Sequence, residues 1–176
     1  MVLPLAFTQQ IGVRFSVPLP HKQMGNIMYN TLSDVIALAE FAHRKQVDKA
    51  GMQYIEHPKR VMQSVQNQGA MPYVQMAAIL HDVIEDTPFT EEMLVELGVP
   101  KSAVDLVVLL TRTKDVPSDE YYAKIAAVEE ARIIKLADIE DNTQAWRLSY
   151  LDKATQQRLY MKYNKAKQAL GVMTFY

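Results

Sequence analysis

The sequence predicts an all-α domain of several packed helices, and three observations carry this. Apolar residues recur three and four positions apart in one segment after another, most of them bracketed by a capping residue, a proline or a glycine. No strand pair and no internal repeat competes with that pattern; only Val13, Phe15 and Val17 alternate briefly, as an edge strand would. At 176 residues and 20.0 kDa the chain is one domain, long enough to bury a core without disulfides or a structural metal.

Taken in order, residues 1–30 carry Pro4, Pro18, Pro20, Gly12 and Gly25 without a clear period, which reads as an arm or disordered tail ahead of a domain spanning 31–176. Met24 and Met28 are alternative natural starts. Thr31 or Ser33 caps a first helix in which Leu32, Val35, Ile36, Leu38, Ala39 and Ala42 face inward up to about Lys45. His43, near its end, reads as a favourable end charge or a surface residue. Residues 46–56 form a loop bent at Gly51, and His57-Pro58 starts a second helix that buries Val61, Met62 and Val65 before Gly69 ends it.

Pro72 opens a third helix, whose Met76, Ala77, Ile79 and Leu80 lead directly into His81-Asp82 and which Thr87-Pro88 punctuates. A short helix from Thr90 to Leu97-Gly98 follows, then an apolar helix from Pro100 to Leu110. Thr111 to Pro117 is a polar loop, and Ser118-Asp119-Glu120 is the cap and acidic first turn of the next helix, with Tyr121-Tyr122 packing into the core. Glu129 to about Asn142 is helical with Ile133, Ile134, Leu136 and Ala137 buried; Asp152 to Leu170 is the terminal helix, stopped by Gly171.

Composition narrows the functional classes. The formal charge is −1 and the 19 basic residues are scattered, which argues against a duplex nucleic-acid binder. There is no cysteine, so thiolate metal sites and cysteine nucleophiles are excluded. No apolar run approaches the roughly 20 residues of a membrane span, and no basic segment precedes a long apolar one as in a secretory signal. These features predict a soluble, cytoplasmic protein with no nucleic-acid or membrane partner.

The chemistry concentrates in Ile79-Leu80-His81-Asp82-Val83-Ile84-Glu85-Asp86-Thr87. On a helix one turn separates His81 from Glu85 and Asp82 from Asp86, so both pairs lie on neighbouring stripes of one surface. The apolar residues between them turn the rest of the helix toward the core, and carboxylates at a core's edge need a partner. A divalent cation serves, taking His81 and Asp82 as ligands and leaving Glu85 and Asp86 near its water. The competing reading is a helix end with solvated acids and a satisfied core histidine. Asp138 poses the same question: inside an apolar helix face it wants an ion, but Lys135, three residues before it, offers an intrahelical pair instead.

Three segments read together resemble a known family: Ala42-His43 through Lys49-Ala50-Gly51 to Tyr54-Ile55-Glu56-His57-Pro58, then Leu80 to Thr87, then Lys135-Leu136-Ala137-Asp138 with Asn142. In order and separation they resemble the HD-domain hydrolases of the RelA/SpoT type, particularly the small alarmone hydrolases that consist of this domain alone. The resemblance covers about residues 33–170. It implies an all-helical HD domain in which His57, His81, Asp82 and Asp138 hold one divalent metal, usually Mn2+, with Fe2+ another candidate for such a mixed nitrogen and oxygen site. Glu85 and Asp86 would handle the attacking water, Lys49 would approach a phosphate and Asn142 would hydrogen-bond the nucleotide. The implied reaction removes pyrophosphate from the 3′ position of guanosine tetra- or pentaphosphate.

The chain departs from the family pattern near the base. An arginine that lies against guanine in the family is Asp48 here, and Ile139, Glu140 and Asp141 stand between Asp138 and Asn142. New carboxylates around the nucleotide channel would repel polyanions or recognise an exocyclic amino group differently. The alternatives are therefore an HD phosphohydrolase of another nucleotide, such as an adenine alarmone or a 2′-phosphorylated dinucleotide cofactor, and a module that senses a nucleotide without hydrolysing it.

Overall fold

The computed structural model describes residues 28–48 and 51–172. The arm expected over 1–30 therefore lies, through residue 27, outside the described residues, as does Lys49. Among the described residues the chain is helical, and its one β contact is an isolated antiparallel bridge between Val47 and Gln53. The helices are α1 (Leu32–His43), α2 (Glu56–Asn67), α3 (Pro72–Leu80), α4 (Val83–Asp86), α5 (Glu91–Glu96), α6 (Lys101–Leu110), α7 (Ser118–Ala126), α8 (Glu129–Asn142), α9 (Ala145–Leu148) and α10 (Lys153–Ala169). None of the described helices is long and apolar enough to cross a membrane.

Local chemistry explains most boundaries. Thr31 caps α1 by accepting from the Asp34 amide at 3.3 Å, Thr90 caps α5 on Met93 N, and Asp152 caps α10 on Thr155 N. Gly51 turns the loop between α1 and α2 at φ 79°, a left-handed conformation that a side chain would strain. The second helix begins at Glu56, slightly before His57-Pro58, because turns closed on the Gln53 and Tyr54 carbonyls run straight into it.

α3 is the hub of the packing, lying against α1, α2, α6 and α8. Val74, Met76, Ala77, Ala78, Ile79 and Leu80 are all buried, the pattern of a helix enclosed on every side. Each large side chain so buried contributes roughly 1.5–3 kcal/mol of apolar transfer. α8 completes the centre, packing on α2, α3, α6, α7 and α10 through Ala131, Ile134, Ala137 and Ile139. The core extends back to Tyr29, whose amide donates to the Leu97 carbonyl at 2.8 Å. Tyr121 and Tyr122 are buried, so their role is packing.

Two expectations are corrected. α3 does not continue through His81-Asp82: it ends at Leu80, and a new short helix starts at Val83. The His81 ring takes the Ala78 carbonyl at 2.7 Å, the group a continuing helix would offer to the next turn, and Asp82 adopts φ −102°, ψ −3°. His43 is not a surface residue. It is fully buried, its Nδ1 lies 2.5 Å from Gln46 Oε1 and its ring packs 5.0 Å from that of Tyr54. That burial lowers its pKa.

Candidate metal centre

Three helical elements bring the site together. α2 supplies His57 in its first turn, the break between α3 and α4 supplies His81 and Asp82, and α8 supplies Asp138. Ligand atoms of His57, His81 and Asp138 all lie within 4.8 Å of one another, and all three residues are buried. His57 Nε2 is 3.3 Å from Asp138 Oδ1 and 3.8 Å from Asp82 Oδ2; His81 Nε2 is 3.1 Å from Asp82 Oδ2 and 3.9 Å from Asp138 Oδ1. Two imidazoles and the Asp138 carboxylate therefore converge, while Asp82 contacts both histidines but stands outside that trio.

The donors fit a cation. His81 Nε2 is buried without a hydrogen-bond partner while Nδ1 is held by the Ala78 carbonyl, so the bare nitrogen is aimed into the cluster. Burial works against a charged His81, but Asp82 and Asp138 outweigh it and push its pKa up to about 9. The site thus attracts positive charge at that nitrogen, and a mixed set of nitrogen and oxygen donors suits a divalent metal of the first transition row. Burial also opposes the charged forms of Asp82 and Asp138; His81 holds the first below the usual carboxylate range, and Lys135 holds the second well below it.

Each carboxylate is steadied from behind. Asp138 Oδ2 accepts from Lys135 Nζ at 2.8 Å, and its Oδ1 accepts from Asn142 Nδ2 at 2.5 Å. The Tyr54 hydroxyl donates to Asp82 Oδ2 at 2.6 Å. Burial, with the Asp82 and Asp86 carboxylates beside it, pushes that phenol well up, so Tyr54 stays a donor.

Glu85 and Asp86 sit on α4 with exposed side chains. Glu85 Oε2 accepts from the Arg112 amide at 3.0 Å, which draws the loop after α6 over this edge of the site. The Asp86 amide bonds the Asp82 carbonyl at 2.9 Å, so these two remain one turn apart despite the break in α3. No such bond ties His81 to Glu85 among the described contacts.

A cleft of about 320 Å³ opens beside the cluster, lined by Asp48, Tyr54, Asn142, Arg147, Leu148 and Tyr163 among others. Tyr54 and Asn142 also touch the carboxylates at the centre, so cleft and cluster are contiguous. Asp48 Oδ2 lies 3.7 Å from Arg147 Nη2. Asp141, expected near the nucleotide channel, is instead buried against His57: its Oδ2 is 2.7 Å from His57 Nδ1, and it pairs with Arg60 and Arg147. Glu140 is exposed.

Sequence reasoning did not single out Tyr54, Arg60, Arg112 or Arg147 as parts of this arrangement. The one available signal was for Asp141, which lies one helical stripe on from Asp138 and so shares its face of α8. Arg147 comes from α9, a four-residue helix without a buried residue, and nothing in its local pattern indicates where it reaches.

The model of the HD domain family matches residues 36–170. A Haemophilus influenzae protein named guanosine-3′,5′-bis(diphosphate) 3′-pyrophosphohydrolase is 36% identical over 115 residues, covering 60% of this chain and 17% of that protein. The Escherichia coli bifunctional (p)ppGpp synthase/hydrolase SpoT is 35% identical over 122 residues, 63% of this chain and 17% of its own length. A Streptomyces coelicolor protein named GTP pyrophosphokinase is 33% identical, covering 77% of this chain and 16% of its own. The chain thus spans about a sixth of the length of these relatives. Among solved structures, a metazoan ortholog of SpoT described as hydrolysing ppGpp superposes with a TM-score of 0.68 at 26% identity, covering 79% of this chain and 84% of that one.

Proposed function

The chain belongs to the HD domain family, and from that premise we propose that it is a metal-dependent phosphohydrolase removing pyrophosphate from the 3′ position of (p)ppGpp-type alarmones. The observation that carries the reading is the convergence of ligand atoms of His57, His81 and Asp138 within 4.8 Å, with Asp82 beside both histidines and a cleft of about 320 Å³ alongside. The similarity to proteins named for this reaction supports the choice of substrate.

In this reading His57, His81, Asp82 and Asp138 hold one divalent ion, Mn2+ by preference and Fe2+ as the other candidate. When bound, the ion lowers the pKa of water and offsets charge on the phosphoryl oxygens. The chain does the rest. Tyr54 and Lys135 keep the two carboxylates aimed at the centre, Glu85 and Asp86 accept the proton of the attacking water, and the nucleoside occupies the cleft against Asn142. Lys49 meets a phosphate of the substrate. The substrate is a free nucleotide, and the reaction belongs to the cytoplasm.

Asp48 paired with Arg147 in the cleft wall favours a second reading, in which the same hydrolytic centre acts on a nucleotide with another base. One experiment addresses both. Metal-free protein is reconstituted with Mn2+ and given ppGpp, pppGpp, their adenine counterparts and a 2′-phosphorylated dinucleotide, with pyrophosphate and orthophosphate measured separately. Pyrophosphate from the guanine alarmones supports the first reading; pyrophosphate from adenine alarmones alone moves the assignment to the second. Orthophosphate only, or no product, overturns 3′-pyrophosphohydrolysis.

A further inference from the structure

His57 has two ring nitrogens with different surroundings. Nε2 faces Asp138 Oδ1 at 3.3 Å and Asp82 Oδ2 at 3.8 Å; Nδ1 faces Asp141 Oδ2 at 2.7 Å. An ionised carboxylate only accepts, so the short contact places the imidazole hydrogen on Nδ1 and leaves the Nε2 lone pair for the centre. His81 reaches the same tautomer by another route, donating from Nδ1 to the Ala78 carbonyl. That acceptor is backbone and comes with the helix. The acceptor for His57 is a side chain, on α8, three residues beyond Asp138.

Asp141 lies behind the ring, on the side away from Nε2, and so is not placed to be a ligand itself. Its negative charge is matched by two guanidinium groups, those of Arg60 and Arg147. Arg60 Nε donates to Oδ1 at 2.5 Å and Nη2 to Oδ2 at 3.0 Å, a two-pronged grip, and the Arg60 guanidinium stacks 5.1 Å from the Trp146 ring centre. Arg147 Nη1 binds Asp141 Oδ2 as well and stands 3.1 Å from His57 Nδ1. A guanidinium cannot accept, so that second approach is a bond only in the opposite tautomer. The closer Asp141 oxygen takes the arginine's hydrogen instead.

We propose that Asp141 is a positioning residue, fixing the tautomer and orientation of His57 so that Nε2 is presented to a bound metal, with Arg60 and Arg147 holding the carboxylate in place. The proposal rests on the reading that His57, His81, Asp82 and Asp138 form a metal site. Through Arg147 the same carboxylate is tied to Asp48 in the cleft wall, so a metal ligand and the substrate cleft share one support.

The test compares metal-free wild type with Asp141→Asn, titrated with Co2+ by calorimetry and by its visible absorption. Affinity should fall by about ten-fold to a hundred-fold, the usual weight of such outer partners, and the Co2+ band should change, while helix content by circular dichroism stays. Wild-type affinity and band in the variant overturn the proposal and leave the metal site standing. Failure of wild type to take up Co2+ overturns both. Should the variant not fold, zinc-loaded wild type labelled with 15N-histidine decides: long-range proton–nitrogen spectra must show His57 protonated at Nδ1, and protonation at Nε2 overturns the assignment.

Discussion

Asp138 and Lys135 form an ion pair that does not use up the carboxylate: Nζ reaches Oδ2 at 2.8 Å, while Oδ1 stays directed at His57 Nε2, 3.3 Å away. The two readings of Asp138 open at the level of sequence, ion ligand or intrahelical partner of Lys135, are thus compatible in one geometry. Asp138→Ala should weaken metal binding by about ten-fold or more, because it removes an oxygen from the centre. Lys135→Met should leave metal affinity closer to wild type but destabilise the metal-free protein, by about 3–5 kcal/mol, since a buried carboxylate loses its counter-charge. Metal titration and thermal melting of both variants separate the two effects.

Glu85→Gln and Asp86→Asn should each keep metal bound and lower kcat by about two to four powers of ten, the usual share of a general base. The double variant should be little worse than the poorer single one, because groups acting as a unit are not additive. Metal content measured beside kcat is the check. Near-wild-type turnover in both singles would make the acidic pair structural.

His81→Ala is the contrast, and metal content and activity should fall together. Its Nε2 is one of two buried side-chain atoms among the described residues without a hydrogen-bond partner, the other being His43 Nε2. Chelation of wild type should lower its melting temperature and Mn2+ should restore it, with a gain of about 2.7 kcal/mol at a free concentration one hundred times Kd.

Asn142→Ala should raise KM for the nucleotide and also weaken the metal modestly, because its amide supports Asp138 Oδ1 at 2.5 Å as well as lining the cleft. A pure KM effect with unchanged metal affinity would assign the residue to the nucleotide alone. Steady-state kinetics at saturating Mn2+, with a separate metal titration, distinguishes these outcomes.

Acid should destabilise the metal-free protein in a way that Asp141 controls. Its folded-state pKa lies below the ordinary value of 3.8, so its contribution is fully present above that value and is lost as pH falls toward the folded one. Melting temperature should therefore decline below about pH 4 in wild type, and less steeply in Asp141→Asn. Parallel curves for the two proteins would show that this carboxylate is not a main source of acid lability.

Much of the fold was legible because its signals are local. Thr31, Thr90 and Asp152 are caps whose partners lie within three residues, and Gly51 bends its loop by its own backbone. Of the face that periodicity assigns to α8, Ile134 and Ala137 are buried, whereas Ile133 and Leu136 are half-buried at its edge. The break at His81-Asp82 was not legible, because apolar residues flank it on both sides at helical spacing and the His81 ring meets the Ala78 carbonyl only in the folded chain. The same holds for His43, whose burial comes from Tyr54 and Gln46 across a turn.

By itself, the sequence determined that this is an all-α chain carrying His57, His81, Asp82 and Asp138 in an order that resembles a metal-dependent hydrolase, since helix patterning and residue type are properties of short stretches. Only tertiary structure decided what stands behind each of those groups. Tyr54 meets Asp82 across 28 positions, Asp141 meets His57 across 84 and Arg60 across 81. Hydrogen-bond partners so far apart along the chain leave no period and no spacing to read; they exist because α2, α3 and α8 pack around one buried point, where a polar group cut off from water gains most from a partner.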